Sequence, residues 1–164
     1  MRKGRRTIGI LAGIAAALFL SCASREQAPA SGEDSTIVYP SRKSGGVEAR
    51  ITLYEKESKK SGELLGAGRV FTTGENERVR ARVEIENGSV LGRDPLLFHL
   101  VWLDPEGKSI YTKQIDHSLG DPPDLLESAI SIPPDKREPG IYTLRVYLFR
   151  ELIAEKTFEV RRKE

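Results

Sequence analysis

The sequence has little of what catalytic and metal-binding sites are usually made from. It contains one cysteine, Cys22, and two histidines, His99 and His117, in 164 residues. A single cysteine cannot form a disulfide within the chain, which excludes a disulfide-stabilised fold. A zinc site would have to combine the two histidines with carboxylates from separate loops. We therefore expect no metal and no cofactor.

The motifs of common enzyme classes are also missing. The sequence has no Gly-x-Ser-x-Gly, no His-Glu-x-x-His and no phosphate-binding loop. Gly66-Ala67-Gly68 is not a dinucleotide-binding loop, because it leads into a strand-like run and lacks both a third glycine and a following helix. No set of nucleophile, base and orienting group is recognisable, so an enzyme is the last of the function classes that we consider.

A strong charge of one sign is absent as well. The whole chain has 26 Lys and Arg against 24 Asp and Glu, and four of the basic residues lie within the first six positions. Without that segment, 22 basic and 24 acidic residues remain, a net charge near −2. This excludes the strongly basic footprint that nucleic-acid-binding domains show.

No hydrophobic run is long enough to cross a membrane. The run Ile8–Leu20 has thirteen apolar or glycine residues and follows the basic segment Met1–Arg6. A membrane-spanning helix needs roughly 20 apolar residues. A short apolar run after a basic segment is the layout of a secretory signal peptide, which we assign to residues 1–21.

The apolar run ends at Phe19-Leu20-Ser21-Cys22, which resembles the lipobox of bacterial lipoproteins, with phenylalanine where leucine is usual. The resemblance implies that Cys22 is lipidated on its sulfur, becomes the first residue after cleavage, and is acylated on its amino group. Two or more acyl chains hold a protein stably on a bilayer. By the sorting rule of these lipoproteins, Ser24 implies the outer membrane, facing the periplasm. The alternative is that Cys22 is an ordinary small residue near a cleavage site.

Residues 22–46 are mostly small and polar, with too little apolar surface to offset the entropy of ordering. We therefore expect a flexible tether that starts at the lipidated Cys22. Ile37, Val38 and Tyr39 are the exception, and we expect these three residues to form a short edge strand.

From Val47 onwards, apolar and polar residues alternate with a period of two, which is typical of strands with one buried face. The exceptions are a charged loop over Glu55–Ser61 and a helical turn at Leu125-Leu126. The predicted strands are Val47–Leu53, Arg69–Thr72, Arg78–Glu86, Leu96–Leu103, Ser109–Asp116, Ser128–Ile132, Ile141–Phe149 and Leu152–Val160. Seven or eight strands within residues 47–162 predict one all-β domain, an antiparallel Greek-key sandwich of two sheets.

Two aromatic residues refine this prediction. Trp102 lies in the third long strand, and Tyr142 follows Glu138-Pro139-Gly140. Both positions resemble those of immunoglobulin-like and fibronectin type III-like domains. In these domains a tryptophan is buried, and the hydroxyl of a tyrosine corner hydrogen-bonds back across the preceding loop. The antibody-type disulfide is missing, since Leu144 stands at its position. For Tyr142, the alternative is an ordinary core aromatic.

One face of the domain is unexpectedly apolar. If Phe98, Leu100 and Trp102 point into the core, their neighbours point outwards and are still largely apolar. An immunoglobulin-like topology would place these strands, C and F, side by side. Their outer faces would then form a patch that we take as the candidate partner-binding site: Leu97, Val101, Leu103, Tyr147 and Phe149. The alternative is that Ile37–Tyr39 or Leu125-Leu126 covers the patch.

Two other groups of residues are weaker candidates. Arg78, Arg80 and Arg82 form a basic row, but nearby glutamates favour an ordinary solvated face. His117 shares a loop region with three aspartates that could gather around calcium, but two prolines and ordinary solvation account for them. The three aspartates are Asp116, Asp121 and Asp124.

These observations favour a non-catalytic protein-binding or assembly module in the bacterial cell envelope. Its expected partners are the lipid bilayer, through acylated Cys22, and another envelope protein, with no nucleic acid. The alternative is a small-ligand or glycan binder, or an inhibitor of exported hydrolases. Such a protein would act through sandwich-end loops such as Gly88–Pro95 or Asp116–Leu126.

Overall fold

The computed structural model describes residues 36–39, 45–88, 94–118 and 124–164. They belong to one compact unit, Gly32–Glu164, and contain strands but no α-helix. The described residues therefore include no helix that could cross a membrane. The eleven strands are β1 (Ile37–Val38), β2 (Glu48–Tyr54), β3 (Lys56–Glu57), β4 (Leu64–Leu65), β5 (Val70–Thr73), β6 (Arg78–Glu86), β7 (Leu96–Leu103), β8 (Ser109–His117), β9 (Asp124–Ser131), β10 (Gly140–Leu148) and β11 (Glu151–Arg162).

The strands form two main sheets. The larger sheet has the order β1-β11-β10-β7-β8, with β5 pairing in parallel with the end of β11. The smaller sheet has the order β2-β6-β9, and β3 and β4 form a separate hairpin. Placing β2, β6 and β9 in one sheet and β7, β10 and β11 in the other matches the A-B-E and C-F-G strands of immunoglobulin domains. The predicted all-β, disulfide-free sandwich is confirmed, with eight strands of four or more residues.

The core lies between the inward faces of the two sheets. Trp102 is fully buried, and its indole nitrogen donates a hydrogen bond to Ser128 Oγ at 2.9 Å. Phe158 packs against Trp102 edge to face, with ring centroids 5.7 Å apart, and stacks on Tyr142 at 5.5 Å. The Tyr142 hydroxyl donates to the Glu138 carbonyl at 2.8 Å. This bond is the predicted tyrosine corner, so both aromatic assignments are confirmed.

The core also contains a lysine, Lys156, on the inward face of β11. Its side chain is 7% exposed, and Nζ donates to the Ile51 carbonyl at 2.7 Å. The Thr36 hydroxyl also donates to this carbonyl, at 3.1 Å, and accepts from the Ile51 amide at 3.3 Å. Ile51 lies on β2, the edge strand of the smaller sheet, so these side chains satisfy backbone groups that have no strand partner there.

Two local predictions were wrong. Leu125 and Leu126 do not form a helical turn, because they pair with Glu84 and Val83 of β6 and so belong to β9. Sheet pairing outweighs the turn preference of the preceding prolines here. Glu55–Ser61 is not simply a loop either, since β3 lies within it and pairs with β4.

Candidate functional site

Strand register decides which side chains reach the outside of the larger sheet. On β7, buried Phe98, Leu100 and Trp102 point inwards, so Leu97, His99 and Val101 point outwards. On β10, Tyr142, Leu144 and Val146 are buried in the same way. The predicted adjacency of β7 and β10 is confirmed. We call the outward side chains the large-sheet face: Leu97, His99, Val101, Thr143, Arg145, Tyr147, Leu152 and Glu155.

The register brings the central members of this face together. Tyr147 lies opposite His99 on β7 and opposite Leu152 on β11. Arg145 lies opposite Val101 on β7. Directly opposite side chains on one face of a sheet have Cβ atoms roughly 4.5 to 5.5 Å apart, close enough to contact each other. Three predicted site residues, Leu97, Val101 and Tyr147, therefore share one surface, and each is partly exposed.

The other two predicted site residues fit this surface less well. Leu103 is only 8% exposed and lies where the pairing with β8 shifts register. Phe149 follows the end of β10, has a positive φ of 47°, and packs against the hydrophobic core. Because the chain turns after Leu148, the alternation that predicted an outward Phe149 no longer applies there.

Neither Ile37-Val38 nor Leu125-Leu126 lies over this face, and of the segment Ile37–Tyr39 only the Tyr39 hydroxyl reaches it, at Glu155. Ile37 and Val38 extend the same sheet at its far edge, where they pair with Glu155 and Ala154 of β11. This confirms the predicted edge strand. Leu126 is buried in β9, which belongs to the smaller sheet.

A charged pair interrupts the apolar side chains. Arg145 Nε donates to Glu155 Oε2 at 3.0 Å, and the Tyr39 hydroxyl donates to Glu155 Oε1 at 2.8 Å. Burial disfavours the charged form of Arg145, but hydrogen bonds to Glu155 and Tyr147 outweigh it and raise the pKa of the guanidinium. Burial, followed by the bond to Glu155, raises the pKa of Tyr39. The face is therefore mixed, with a neutralised ion pair beside the apolar residues.

His99 adds an unusual polar atom to this face. Its Nδ1 is buried and has no hydrogen-bond partner among the described residues. A buried polar atom without a partner is costly in free energy, so it is normally paired in the functional state of a protein. In the sequence, His99 stood out only as one of the two histidines that a zinc site would need.

Sequence reasoning missed Tyr39, Arg145, Leu152 and Glu155. The alternation along β10 that selected Tyr147 also places Arg145, two positions earlier, on the outward side. Strict alternation from the buried Ala154 and Phe158 would place Leu152 on the inward side of β11. It faces outwards because the pairing of β10 with β11 shifts register between Val146 and Tyr147. Such an irregularity has no clear mark in the sequence.

The smaller sheet has a different outer face. Arg82 pairs with Glu57 of the β3–β4 hairpin at 3.0 Å and with Glu127 of β9 at 3.1 Å. Its guanidinium carbon also lies 5.9 Å from the ring centre of Tyr54, which is 2% exposed. The basic row predicted from Arg78, Arg80 and Arg82 is thus partly neutralised by the chain's own carboxylates.

His117 and its neighbouring aspartates, considered from the sequence for calcium and set aside, lie only partly within the described residues. His117 Nε2 lies 3.0 Å from Asp124 Oδ1, while Asp121 is outside the described residues, as is Cys22. Within the described ranges, no group of three or more His, Cys, Asp or Glu is arranged to hold a metal ion.

Comparisons with known proteins give weak likenesses to solved structures, among them two from Pseudomonas. An immunoglobulin-like protein from Pseudomonas aeruginosa is 17% identical, with a TM-score of 0.40, covering 79% of this chain and 100% of its own. An alkylpurine DNA glycosylase from Pseudomonas fluorescens, bound to DNA containing an abasic site analogue, is 17% identical with a TM-score of 0.39. That match covers 68% of this chain and 30% of the glycosylase. No family model and no curated protein matches the chain. At such low similarity, neither structure assigns a function to this chain.

Proposed function

We propose that this chain is a lipid-anchored lipoprotein of the bacterial envelope, on the outer membrane and facing the periplasm. Its immunoglobulin-like domain acts as a non-catalytic module that binds another envelope protein through the large-sheet face. Acylated Cys22 is the membrane anchor, and Leu97, Val101 and Tyr147 are the central contacts with the partner.

The observation that carries the binding proposal is the composition of the large-sheet face. Leu97, Val101, Tyr147 and Leu152 are partly exposed on adjacent strands, and Ile141 on the same side of β10 is 55% exposed. Protein interfaces combine such apolar and tyrosine side chains with arginine, and tyrosine and arginine contribute disproportionately to binding free energy. Arg145 supplies the arginine at the middle of this face.

The Arg145–Glu155 pair also fits partner binding. An ion pair that is already formed and hydrogen-bonded needs less reorganisation when a partner covers it. The Glu155 side chain is 16% exposed and that of Arg145 is 40% exposed, so Arg145 is the more accessible member. It can offer its remaining N–H groups to a carbonyl or carboxylate of the partner.

The tether sets how far the domain can reach from the membrane. Thr36, the first described residue, is fourteen positions after Cys22. At roughly 3.3 to 3.6 Å per residue, a fully extended segment of this length spans at most about 50 Å. The partner would therefore lie at the membrane surface or project into the periplasm by a similar distance.

Mass spectrometry of the protein purified from its own membranes tests the anchor. We expect a mature chain that begins at Cys22 and carries thioether-linked and amide-linked acyl groups. Cys22→Ser should leave an unprocessed precursor without lipid. An unmodified Cys22 thiol in the wild-type protein would contradict the anchor without affecting the binding proposal.

Affinity capture of the partner with the wild-type protein and with matched variants tests the binding face. The Val101→Asp and Tyr147→Ala proteins should lose the partner that wild type retains, because a charge or a deletion disrupts a packed apolar contact. Arg50→Ala, on the outside of the smaller sheet, is the matched control and should retain it. Equal recovery with all four proteins would contradict the assignment of this face.

A further inference from the structure

Three clefts open at one end of the sandwich, where the β5–β6, β7–β8 and β9–β10 connections lie. They differ in charge. The first is lined by Arg78, Lys136 and Arg137 and by one carboxylate, Glu77. The second has three basic and three acidic side chains, and the third has two basic and three acidic ones. Only the first of these three clefts has an excess of positive charge.

The positive charges of the first cleft are not neutralised within the described part of the chain. Arg78, Lys136 and Arg137 have no ion pair there. By contrast, Arg82 on the same strand as Arg78 pairs with two glutamates. Unpaired cations that converge on a concave surface are the usual arrangement for binding an anion.

Two of these basic residues adjoin Ser131. Arg78 lies directly opposite Ser131 in the pairing of β6 with β9. Arg137 Nε donates to the Ser131 carbonyl at 3.2 Å. That bond orients the guanidinium, and its two terminal nitrogens have no hydrogen-bond partner among the described residues. A guanidinium held in this way presents a planar fork that matches the oxygens of a carboxylate or phosphate.

The backbone around the cleft is also held in place. The Ile132 amide donates to the Glu77 carbonyl at 3.1 Å, which joins the two sides of the cleft. The amides of Lys136 and Arg137 both donate to the Pro133 carbonyl, at 3.1 and 3.0 Å, and close a tight turn over two prolines. The cleft has a volume of about 440 Å³, within the range of small-molecule sites.

We propose that this cleft binds a small organic anion through a carboxylate or phosphate group held by Arg78, Lys136 and Arg137. The site is separate from the large-sheet face and does not depend on it. It lies among connections other than the end loops Gly88–Pro95 and Asp116–Leu126 that the sequence suggested for a small ligand.

Isothermal titration of the protein purified from its own cells in detergent micelles tests this site, with citrate and inorganic phosphate as probes at constant ionic strength. We expect saturable binding of at least one probe, and the tighter one identifies carboxylate or phosphate as the preferred group. Arg78→Ala and Arg137→Ala should each weaken binding about tenfold or more, since a charge-assisted hydrogen bond is lost.

Two control proteins separate a specific site from general charge. Arg137→Lys keeps the charge but loses the fork, so it should also bind more weakly than wild type. Arg50→Ala removes an exposed cation elsewhere and should bind as tightly as wild type. Unchanged melting temperatures show that the variants are folded. Absence of binding of both probes, or wild-type affinity in Arg78→Ala and Arg137→Ala, would overturn the proposal.

Discussion

The two outer faces of the sandwich follow the same alternation of inward and outward side chains but differ in how their outward groups are satisfied. On the smaller sheet, Arg82 is neutralised by Glu57 and Glu127, and Arg50 lies 3.7 Å from Glu86. On the larger sheet, the charged pair Arg145–Glu155 lies among partly exposed apolar residues, and a second pair, Glu159–Arg161, lies further along β11. The smaller sheet thus pairs Arg50 and Arg82 with carboxylates of the chain itself, whereas the larger sheet leaves apolar surface for contacts from outside.

The comparison requires that β7 has distinct inward and outward sides. Trp102→Ala tests this requirement and should give the largest loss of stability. The indole is fully buried and bonded to Ser128, so its removal should lower the free energy of unfolding by about 3 to 5 kcal/mol. Val101→Ala, one residue away on the outward side, should cost about 1 kcal/mol or less. Urea unfolding followed by circular dichroism measures both. Similar losses in the two proteins would mean that the two sides of β7 are not distinct.

The orientation of β10 rests on the tyrosine corner. Tyr142→Phe removes the hydrogen bond to the Glu138 carbonyl and leaves that acceptor unpaired, which should cost about 1 to 3 kcal/mol. Tyr147→Phe, on the outward side of the same strand, should cost clearly less because the Tyr147 side chain is partly exposed. Urea midpoints at constant pH compare the two proteins, and equal costs would argue against an inward Tyr142.

Arg82→Ala tests whether ion pairs within the chain stabilise the outer face of the smaller sheet. Arg82→Ala should lower the free energy of unfolding by about 1 kcal/mol, a modest value because both glutamates are partly exposed and screened by water. Arg50→Ala should have almost no effect, since Arg50 and Glu86 are both about half exposed. A double-mutant cycle between Arg82 and Glu57 isolates their coupling. Zero coupling would show that the β3–β4 hairpin is not held by this pair.

Alkaline pH should weaken tyrosine contacts on both faces. Burial raises the pKa of Tyr54 on the smaller sheet, and burial with the bond to Glu155 raises that of Tyr39 beside the larger one. A pKa that is higher in the folded state gives stability that is complete below the unfolded value, about 10, and is lost as the pH rises through the folded pKa. Melting temperatures between about pH 8 and about pH 11 should therefore fall, and less steeply in Tyr39→Phe and Tyr54→Phe. Identical slopes in the three proteins would contradict this assignment.

The sequence was informative wherever a regular period decides the structure. Alternation in β6, β7 and β10 predicted the buried sides of these strands, and Trp102 with Tyr142 predicted the type of sandwich. The same reasoning placed Leu97, Val101 and Tyr147 on one surface. Each of these inferences depends only on which neighbours along one strand share a side.

The sequence was less informative where distant residues meet. Nothing in the pattern around Lys156 shows that its ammonium group is buried on the Ile51 carbonyl, 105 positions away. The Arg145–Glu155 pair and the placement of Arg78 opposite Ser131 likewise depend on strand register. Register is fixed by the packing of the whole sheet, so a single strand cannot reveal it.

Site-specific photo-crosslinking in intact cells tests most directly whether the two outer faces differ in partner binding. A photoreactive amino acid would replace Val101 or Tyr147 on the large-sheet face, and Arg50 or Thr52 on the smaller sheet. We predict a discrete crosslinked protein from positions 101 and 147 and none from positions 50 and 52. Crosslinks only from positions 50 and 52, or none from any of the four, would contradict the account.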